Sequence, residues 1–371
     1  MMKQLDRQDW IIYGAYGYAG KLVLEEALAQ GRRPIIAGRT EAKLKPIAEK
    51  HGLMYRAFGV DDAAANIGGA GTLINCAGPF DVTSEQMMDA CLEGGLNYLD
   101  LTGEVSVFEA AYARHEAALK AGVILCPGVG FDIVPTDCLA AMLKQQLPDA
   151  TFLELAFDFG TLPSMGTTVT AIKAIGLGGM IRENGKLKTV GHGYRIRKIP
   201  FANSDNWGTS VPWGDTFTSQ ISTGIPNAIV YAALPLAVCW TFKMVNPIRG
   251  FLSRPSMQNR LISLAGKFLS DGPDAATRAK HRTRFWGQVT TEDGRKCSGT
   301  IMAPSTYVLT ADTAVAIALQ SENWEGNGGY FTASMLGGAD FLTDRPGYKV
   351  EISNSSPSTT VRAARGSTID Q

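Results

Sequence analysis

A chain of 371 residues is long enough for two domains that each bury a core. With 45% hydrophobic residues it is not a disordered chain, and its 35 basic and 35 acidic residues leave no electrostatic footprint for nucleic acid. Six cysteines without a C-x-x-C pair read as reduced, buried thiols, and the start MMKQLDRQDW lacks the apolar run of a signal peptide, so a cytoplasmic location is expected.

Through residues 1–135, short apolar runs alternate with longer helical patterns. Strands are predicted at Trp10–Tyr13, Pro34–Ala37, Tyr55–Phe58, Thr72–Cys76, Tyr98–Leu101 and Val123–Cys126. Helices are predicted at Tyr18–Gln30, Glu41–Lys50, Ser84–Glu93 and Val105–Lys120, with Gly31, Gly52, Gly94 and Gly122 placed as C-caps. This alternation predicts an α/β fold whose N-terminal part is a Rossmann-type, doubly wound parallel sheet. From residue 136 to 345 the pattern predicts a second, α+β domain on a mixed or antiparallel sheet. Its predicted elements are a helix at Thr136–Gln146, strands at Leu153–Phe159, Tyr194–Ile199, Trp286–Thr290 and Gly299–Met302, and helices at Thr310–Gln320 and Tyr330–Asp340. The late helices are placed to pack back on the first domain. Residues 353–371 lack apolar periodicity and read as a disordered tail.

Ala228–Phe242, AIVYAALPLAVCWTF, is uncharged, yet shorter than a bilayer span and interrupted by Pro235. It predicts a helix with an exposed or cavity-lining apolar face, suited to a buried helix, an apolar substrate or a lipid surface.

The sharpest motif is WIIYGAYGYAGKLVLEEAL. A strand ends at Tyr13, Gly14, Gly17 and Gly20 follow at three-residue spacing, and a helix starts at once. Gly14 makes the turn, Gly17 leaves room for a pyrophosphate, and Gly20 lets helix and strand pack closely. The helix N-terminus offers free N–H groups and its positive dipole end to phosphate. The segment Gly14, Ala15, Tyr16, Gly17, Tyr18 and Gly20 is therefore read as a dinucleotide site. A nucleoside-triphosphate loop is excluded because five residues separate Gly14 from Gly20 and Leu22 stands where a Ser or Thr must hold magnesium. After the second strand, AGRTEAKL has no acid at positions 37 to 40, and Arg39 with Lys43 suits the 2′-phosphate of NADP(H).

These motifs, with NCAGPF (75–80), NYLDLTGE (97–104), PGVGFDIVPTD (127–137), SVPWGDTFTSQISTGIPN (210–227) and GGYFTASMLG (328–337), resemble the saccharopine dehydrogenase-like oxidoreductase family over residues 10–345. The likeness is greater to its trans-acting enoyl reductase-like branch. It implies NADP(H) as cofactor, with Asn75, Cys76, Gly78 and Pro79 lining the crevice beside the glycine loop. Tyr16 and Ala19 stand where the family often has Thr. It also implies a reductase acting on an apolar, acyl-type substrate. A saccharopine-type imine or amino-acid dehydrogenase, which needs cations such as Arg195 and Arg197 for substrate carboxylates, is the alternative. A non-catalytic NADP-binding regulator is another.

For catalysis, the segment Pro127–Asp137 lies at the junction of the domains, and Asp132 is the candidate to orient substrate or relay a proton; a helix N-cap is its competing role. Glu104, beyond the fifth strand, is the second candidate. Asp137, in the first helical turn, complements the helix dipole. Tyr194 and Lys198 have Y-x-x-x-K spacing, but on a strand they stand about 13 Å apart. No Cys/His cluster has zinc spacing, so no metal is expected. The partners expected are a small apolar molecule, a lipid surface through 228–242 and, as an open case, further copies of the chain.

Overall fold

The computed structural model describes residues 10–160, 178–202, 204–266 and 275–355, with 168–169, 172 and 175–176. Six short strands come first: β1 (Trp10–Tyr13), β2 (Ile35–Gly38), β3 (Tyr55–Ala57), β4 (Thr72–Asn75), β5 (Asn97–Asp100) and β6 (Ile124–Cys126). Every position of β1, β2, β4 and β6 is buried, as parallel strands covered on both faces require. The strands pair in parallel in the order β6-β5-β4-β1-β2-β3. The helices between them include Tyr18–Ala29, Glu41–His51 and Phe80–Gly94. The helix expected over Val105–Lys120 is two, Val105–Ala113 and His115–Ala121. The break falls at Arg114, whose guanidinium turns to Asp89 at 2.7 Å and to the Ala110 carbonyl at 3.0 Å. Helix Phe80–Gly94 runs one residue past its expected end, and Gly95, at φ +71°, takes the left-handed cap given to Gly94.

Helix Val134–Gln146 leads into the second sheet. Its strands are β7 (Phe152–Asp158), β8 (Gly179–Glu183), β9 (Lys186–Val190), β10 (Ile196–Phe201), β11 (Ser204–Ser210), β12 (Asn227–Ala233), β13 (Arg282–Thr290) and β14 (Lys296–Pro304). The order β10-β11-β12-β7-β13-β14 is mixed: β12 and β7 are parallel and the other neighbours antiparallel. Helix Thr306–Glu322 then returns to the first sheet and packs on helix Tyr18–Ala29. The chain adds a seventh strand there, β15 (Gly329–Tyr330), beside β6. It ends in β16 (Lys349–Ser355), paired with β14 from Lys349 opposite Met302 to Ser355 opposite Lys296.

Three expectations are corrected here. Ala228–Phe242 is not one helix. Residues through Ala233 form β12, held between β7 and β11, and a helix runs only from Leu236 to Met244. Ile229, Val230 and Tyr231 favour a strand, and a continuous apolar run carries no period to separate a buried strand from a buried helix. Tyr330–Asp340 is likewise divided, because Gly329 and Phe331 donate to the β6-side carbonyls of Val123 and Leu125, leaving a helix only at Ala333–Gly337. The tail is paired as far as Ser355, since the open edge of β14 accepts it; its remainder lies outside the described residues. No described helix is long and apolar enough to cross a membrane.

One apolar core joins the two sheets. It runs from Ile12, Ile74 and Leu99 through Leu139 and Leu143 to Leu155, Phe285 and Ile301. An ion pair of Arg32 with Glu322, 2.5 Å, fastens the late helix to the loop before β2, and the Trp10 indole N–H donates to the same carboxylate.

The division of Ala228–Phe242 makes a stability contrast. Ile229→Ala, in a strand buried on both faces, is expected to cost about 2–5 kcal/mol in urea unfolding, and Trp240→Ala, on the exposed helix, less than about 0.5 kcal/mol. Equal costs would contradict the strand assignment.

Candidate functional site

Strand order reverses at β1, which opens a crevice between the carboxyl ends of β1 and β4. Tyr13 and Asn75 face each other across it in register. The chain turns at Gly14, at φ +81°, where a Cβ would stand 2.9 Å from that of Ala77. The Gly14 carbonyl accepts from Gly17 N at 2.9 Å, and a Cβ on Gly20 would lie 2.3 Å from that oxygen. Gly14 and Gly20 thus serve the packing of the loop itself. Gly17 differs: extended at the N-cap of helix Tyr18–Ala29, it would bring its Cβ near only the Gly14 oxygen, at 3.1 Å. Its open side faces where a pyrophosphate would meet the first-turn N–H groups.

The other cofactor candidates divide by what holds them. Ala15 is buried and gives its N–H to the Ala37 carbonyl, so it supports the loop from inside. The Tyr16 ring lies over Gly38, and the Lys43 ammonium stands 5.4 Å above that ring. Arg39 is exposed, and neither it nor Lys43 has an acidic ion-pair partner among the described residues. Glu41, in the first turn of the following helix, accepts from the Tyr55 hydroxyl at 2.9 Å. Tyr18 accepts from Arg278 at 2.8 Å and meets the Tyr307 ring edge-on, reaching the late part of the chain. Asn75 is buried; its Oδ1 accepts from Ala77 N and its Nδ2 donates to Thr83, so it shapes the loop. Gly78 is exposed and Pro79 half-buried at the start of helix Phe80–Gly94. Burial, and behind it the charge of Asp100, pushes the Cys76 thiol up, which leaves it unreactive.

At the ends of β5 and β6 the structure gathers acids. Asp100 Oδ1 accepts from the N–H groups of Thr102 and Gly128, and its Oδ2 from the Tyr98 hydroxyl at 2.7 Å. Burial pushes its carboxyl up to about 6, against four hydrogen bonds pulling down. Thr102 donates to Glu104, which sits at the N-cap of helix Val105–Ala113. Asp132 packs its carboxyl on Gly103, where a Cβ would lie 3.2 Å from its Oδ2. It is not a helix cap, because the next helix begins at Val134 with Ile133 as N-cap. Burial, then the Glu104 charge, pushes the Asp132 carboxyl up to about 7. The two catalytic candidates are therefore neighbours.

Sequence reasoning assigned no role to Trp213 or Asp215, both within SVPWGDTF. The Trp213 indole donates to the Asp132 carbonyl at 2.6 Å. Its ring packs 4.4 Å from Phe157, which joins Phe131 and Phe159 in an aromatic wall. Asp215 is fully buried, and neither carboxylate oxygen has a hydrogen-bond partner at normal distance. Burial first, with the charges of Asp137 and Asp132 behind it, holds this carboxyl well above the usual range; the Thr136 hydroxyl works the other way. Asp137 is also fully buried and accepts from Ser334 N at 2.7 Å, a role beyond the dipole. Local spacing carries no signal for these contacts, which join segments some 80 and 200 residues apart. Tyr194 and Lys198 lie at the edge strand β10, exposed and apart from this cluster.

Residues 10–126 match the family described as the saccharopine dehydrogenase NADP binding domain. The chain carries a saccharopine dehydrogenase NADP-binding domain. NADP(H) is its cofactor, and the open face of Gly17 fits it, as do the cations of Arg39 and Lys43, which have no acidic partner among the described residues. Over 212 residues the chain is 27% identical to a saccharopine dehydrogenase-like oxidoreductase of Mus musculus, covering 48% of each. It is 28% identical over 158 residues to a lipid droplet localized protein of Caenorhabditis elegans, covering 38% of this chain and 37% of the other. It is 29% identical over 140 residues to a trans-acting enoyl reductase of Mycobacterium leprae, covering 35% and 34%. The chain thus spans about half or less of these relatives' length. The apo saccharopine dehydrogenase (L-Glu forming) of Saccharomyces cerevisiae superposes with a TM-score of 0.61 at 12% identity, covering 94% of this chain and 100% of that one, which shows a shared fold.

Three measurements test this geometry. NADPH is expected to bind at least about tenfold tighter than NADH, and Arg39→Asp to erase or reverse the preference, in fluorescence titration. Gly17→Val is expected to lose NADPH binding with the fold kept, whereas Gly20→Ala should lower the melting temperature, since its Cβ has no room beside the Gly14 oxygen. For Asp215, a raised folded-state value means that stability falls as pH rises above the unfolded value near ~4. Asp215→Asn should flatten that fall above the unfolded value; an unchanged slope would show that Asp215 ionises as freely in the folded chain.

Proposed function

We propose that the chain is a cytoplasmic NADP(H)-dependent reductase of an apolar, acyl-type substrate, with chemistry of the enoyl-reductase kind. The observation that carries this reading is Trp213, whose indole donates to the Asp132 carbonyl and whose half-buried ring, with that of Phe159, caps the buried core aromatics Phe131 and Phe157. Half-buried aromatic rings beside the loop of one acid suit a substrate held by burial, with the acid setting orientation. The bound cofactor supplies hydride. The part of the chain itself is to hold the acceptor carbon in place, exclude water and provide a proton. Asp132, with its carboxyl pushed up to about 7, keeps that proton near neutrality, and Glu104 helps to keep it there. The name of the Mycobacterium leprae relative agrees with this substrate class, and that of the Caenorhabditis elegans relative with a lipid setting.

The saccharopine-type alternative needs free cations for substrate carboxylates. Arg197 is paired with Glu154 at 2.7 Å and lies over Trp286, and Arg195 stands just before the edge strand β10. Their contacts are with Glu154, Trp286, Phe152 and Tyr194, none of them in the acid cluster, which favours the apolar substrate.

NADPH oxidation with enoyl thioesters of graded chain length, beside dicarboxylic imine precursors, tests the assignment. Turnover should rise with acyl length. Asp132→Asn is expected to lower kcat by about 10²–10⁴-fold. A donor must be protonated, so the native rate should fall as pH climbs through about 7, and the variant should lose that limb. Turnover confined to the imine precursors would favour the alternative, and binding of NADPH without any turnover would favour a regulator.

A further inference from the structure

Sixteen large apolar side chains are exposed among the described residues, and seven lie between Leu236 and Leu264. They are Leu236, Val238, Trp240, Met244, Ile248, Phe251 and Leu264, on the helices Leu236–Met244, Arg249–Leu252 and Pro255–Ala265 and the 3₁₀ turn Asn246–Ile248. Helix Leu236–Met244 is LAVCWTFKM, yet it fully buries only Cys239. A helix this apolar on the surface, with so little of it used in the core, marks a face made to meet something apolar.

Charge decides what that is. No Asp or Glu occurs between Asp215 and Asp271, while Lys243, Arg249, Arg254 and Arg260 all fall within residues 236–264. The cations stand beside the exposed rings: Lys243 is 5.5 Å above Trp240, and Arg254 is 5.3 Å above Phe251. Arg249 borders an open groove with Thr189, Val190, Gly191, Asn246 and Pro247. Rings that enter an interface, with cations at their rim, match the boundary of acyl chains and anionic headgroups. An acidic protein surface would answer the charge but not the spread of exposed Leu, Val, Met and Ile.

We propose that residues 236–264 dock flat on an anionic lipid bilayer surface, with Trp240 and Phe251 entering the interface and Lys243, Arg249, Arg254 and Arg260 contacting phosphate headgroups. The helices are too short to span, so the chain lies on the membrane. The proposal is independent of the reductase reading, because no residue of 236–264 belongs to the cofactor crevice or the acid cluster.

The test is flotation of the full chain with vesicles of phosphatidylcholine alone and of an equal mixture of phosphatidylcholine and phosphatidylglycerol. The native chain should float with the mixture, be released by high salt, and stay behind with phosphatidylcholine alone. Arg254→Glu with Arg260→Glu should weaken partition at least about thirtyfold. Trp240→Gln with Phe251→Gln should also lose flotation. NADPH titration and circular dichroism of each variant should match the native chain, which separates lost docking from lost folding and leaves the reductase assignment unaffected. Flotation that ignores lipid charge, or none with either vesicle, overturns the proposal. So does a native dimer in light scattering that the Trp240 and Phe251 changes dissociate, since the face would then be covered by a second copy.

Discussion

The carboxylate of Asp100 sits at the end of β5 with both oxygens engaged, and two loops take their shape from it. Through Thr102 N it sets the path of the loop that carries Glu104; through Gly128 N, and with its own carbonyl accepting from Val129 N, it sets the loop that carries Asp132. Such a buried acid stands only because it is hydrogen-bonded; removing its partners would leave a costly charge or a neutral acid without anchors. The loops of Glu104 and Asp132 therefore depend on a third acid that never meets solvent.

The glycine-loop end and the acid cluster use opposite physics. At the mouth of β2, Arg39 and Lys43 are held near the surface, where flexible cations meet a phosphate that arrives with its own hydration. Around Asp132, burial replaces solvent, and the same low dielectric raises its carboxyl to about 7. The glycine loop bridges these settings by giving backbone where side chains would intrude.

Much of the first sheet was legible because parallel strands and helices alternate with distinct periods, and because the roles of Gly14, Gly17 and Gly20 are local. Asp132 and Glu104 stood out as acids at strand ends, though nothing local showed that they lie together. Trp213 and Asp215 stayed hidden because their partners are far along the chain. The apolar run Ala228–Phe242 misled for a different reason: uniform hydrophobicity has no period, and only the pairing of β12 with β7 and β11 reveals its first half as strand.

The loop of Asp132 is also gripped from behind. Thr310 Oγ1 accepts from Phe131 N at 3.1 Å, and Thr313 Oγ1 donates to the Val129 carbonyl at 2.8 Å. A Cβ on Gly130 would lie 2.9 Å from the Thr310 methyl, so the helix approaches the backbone as closely as a glycine permits. This is the helix whose far end is tied to Arg32 and Trp10, and which packs on the helix that begins at Gly17. The glycine loop and the Asp132 loop are thus braced by one rigid element from the last quarter of the chain. Their relative position, which the proposed hydride transfer would need held to a fraction of an ångström, is fixed by packing common to both sheets.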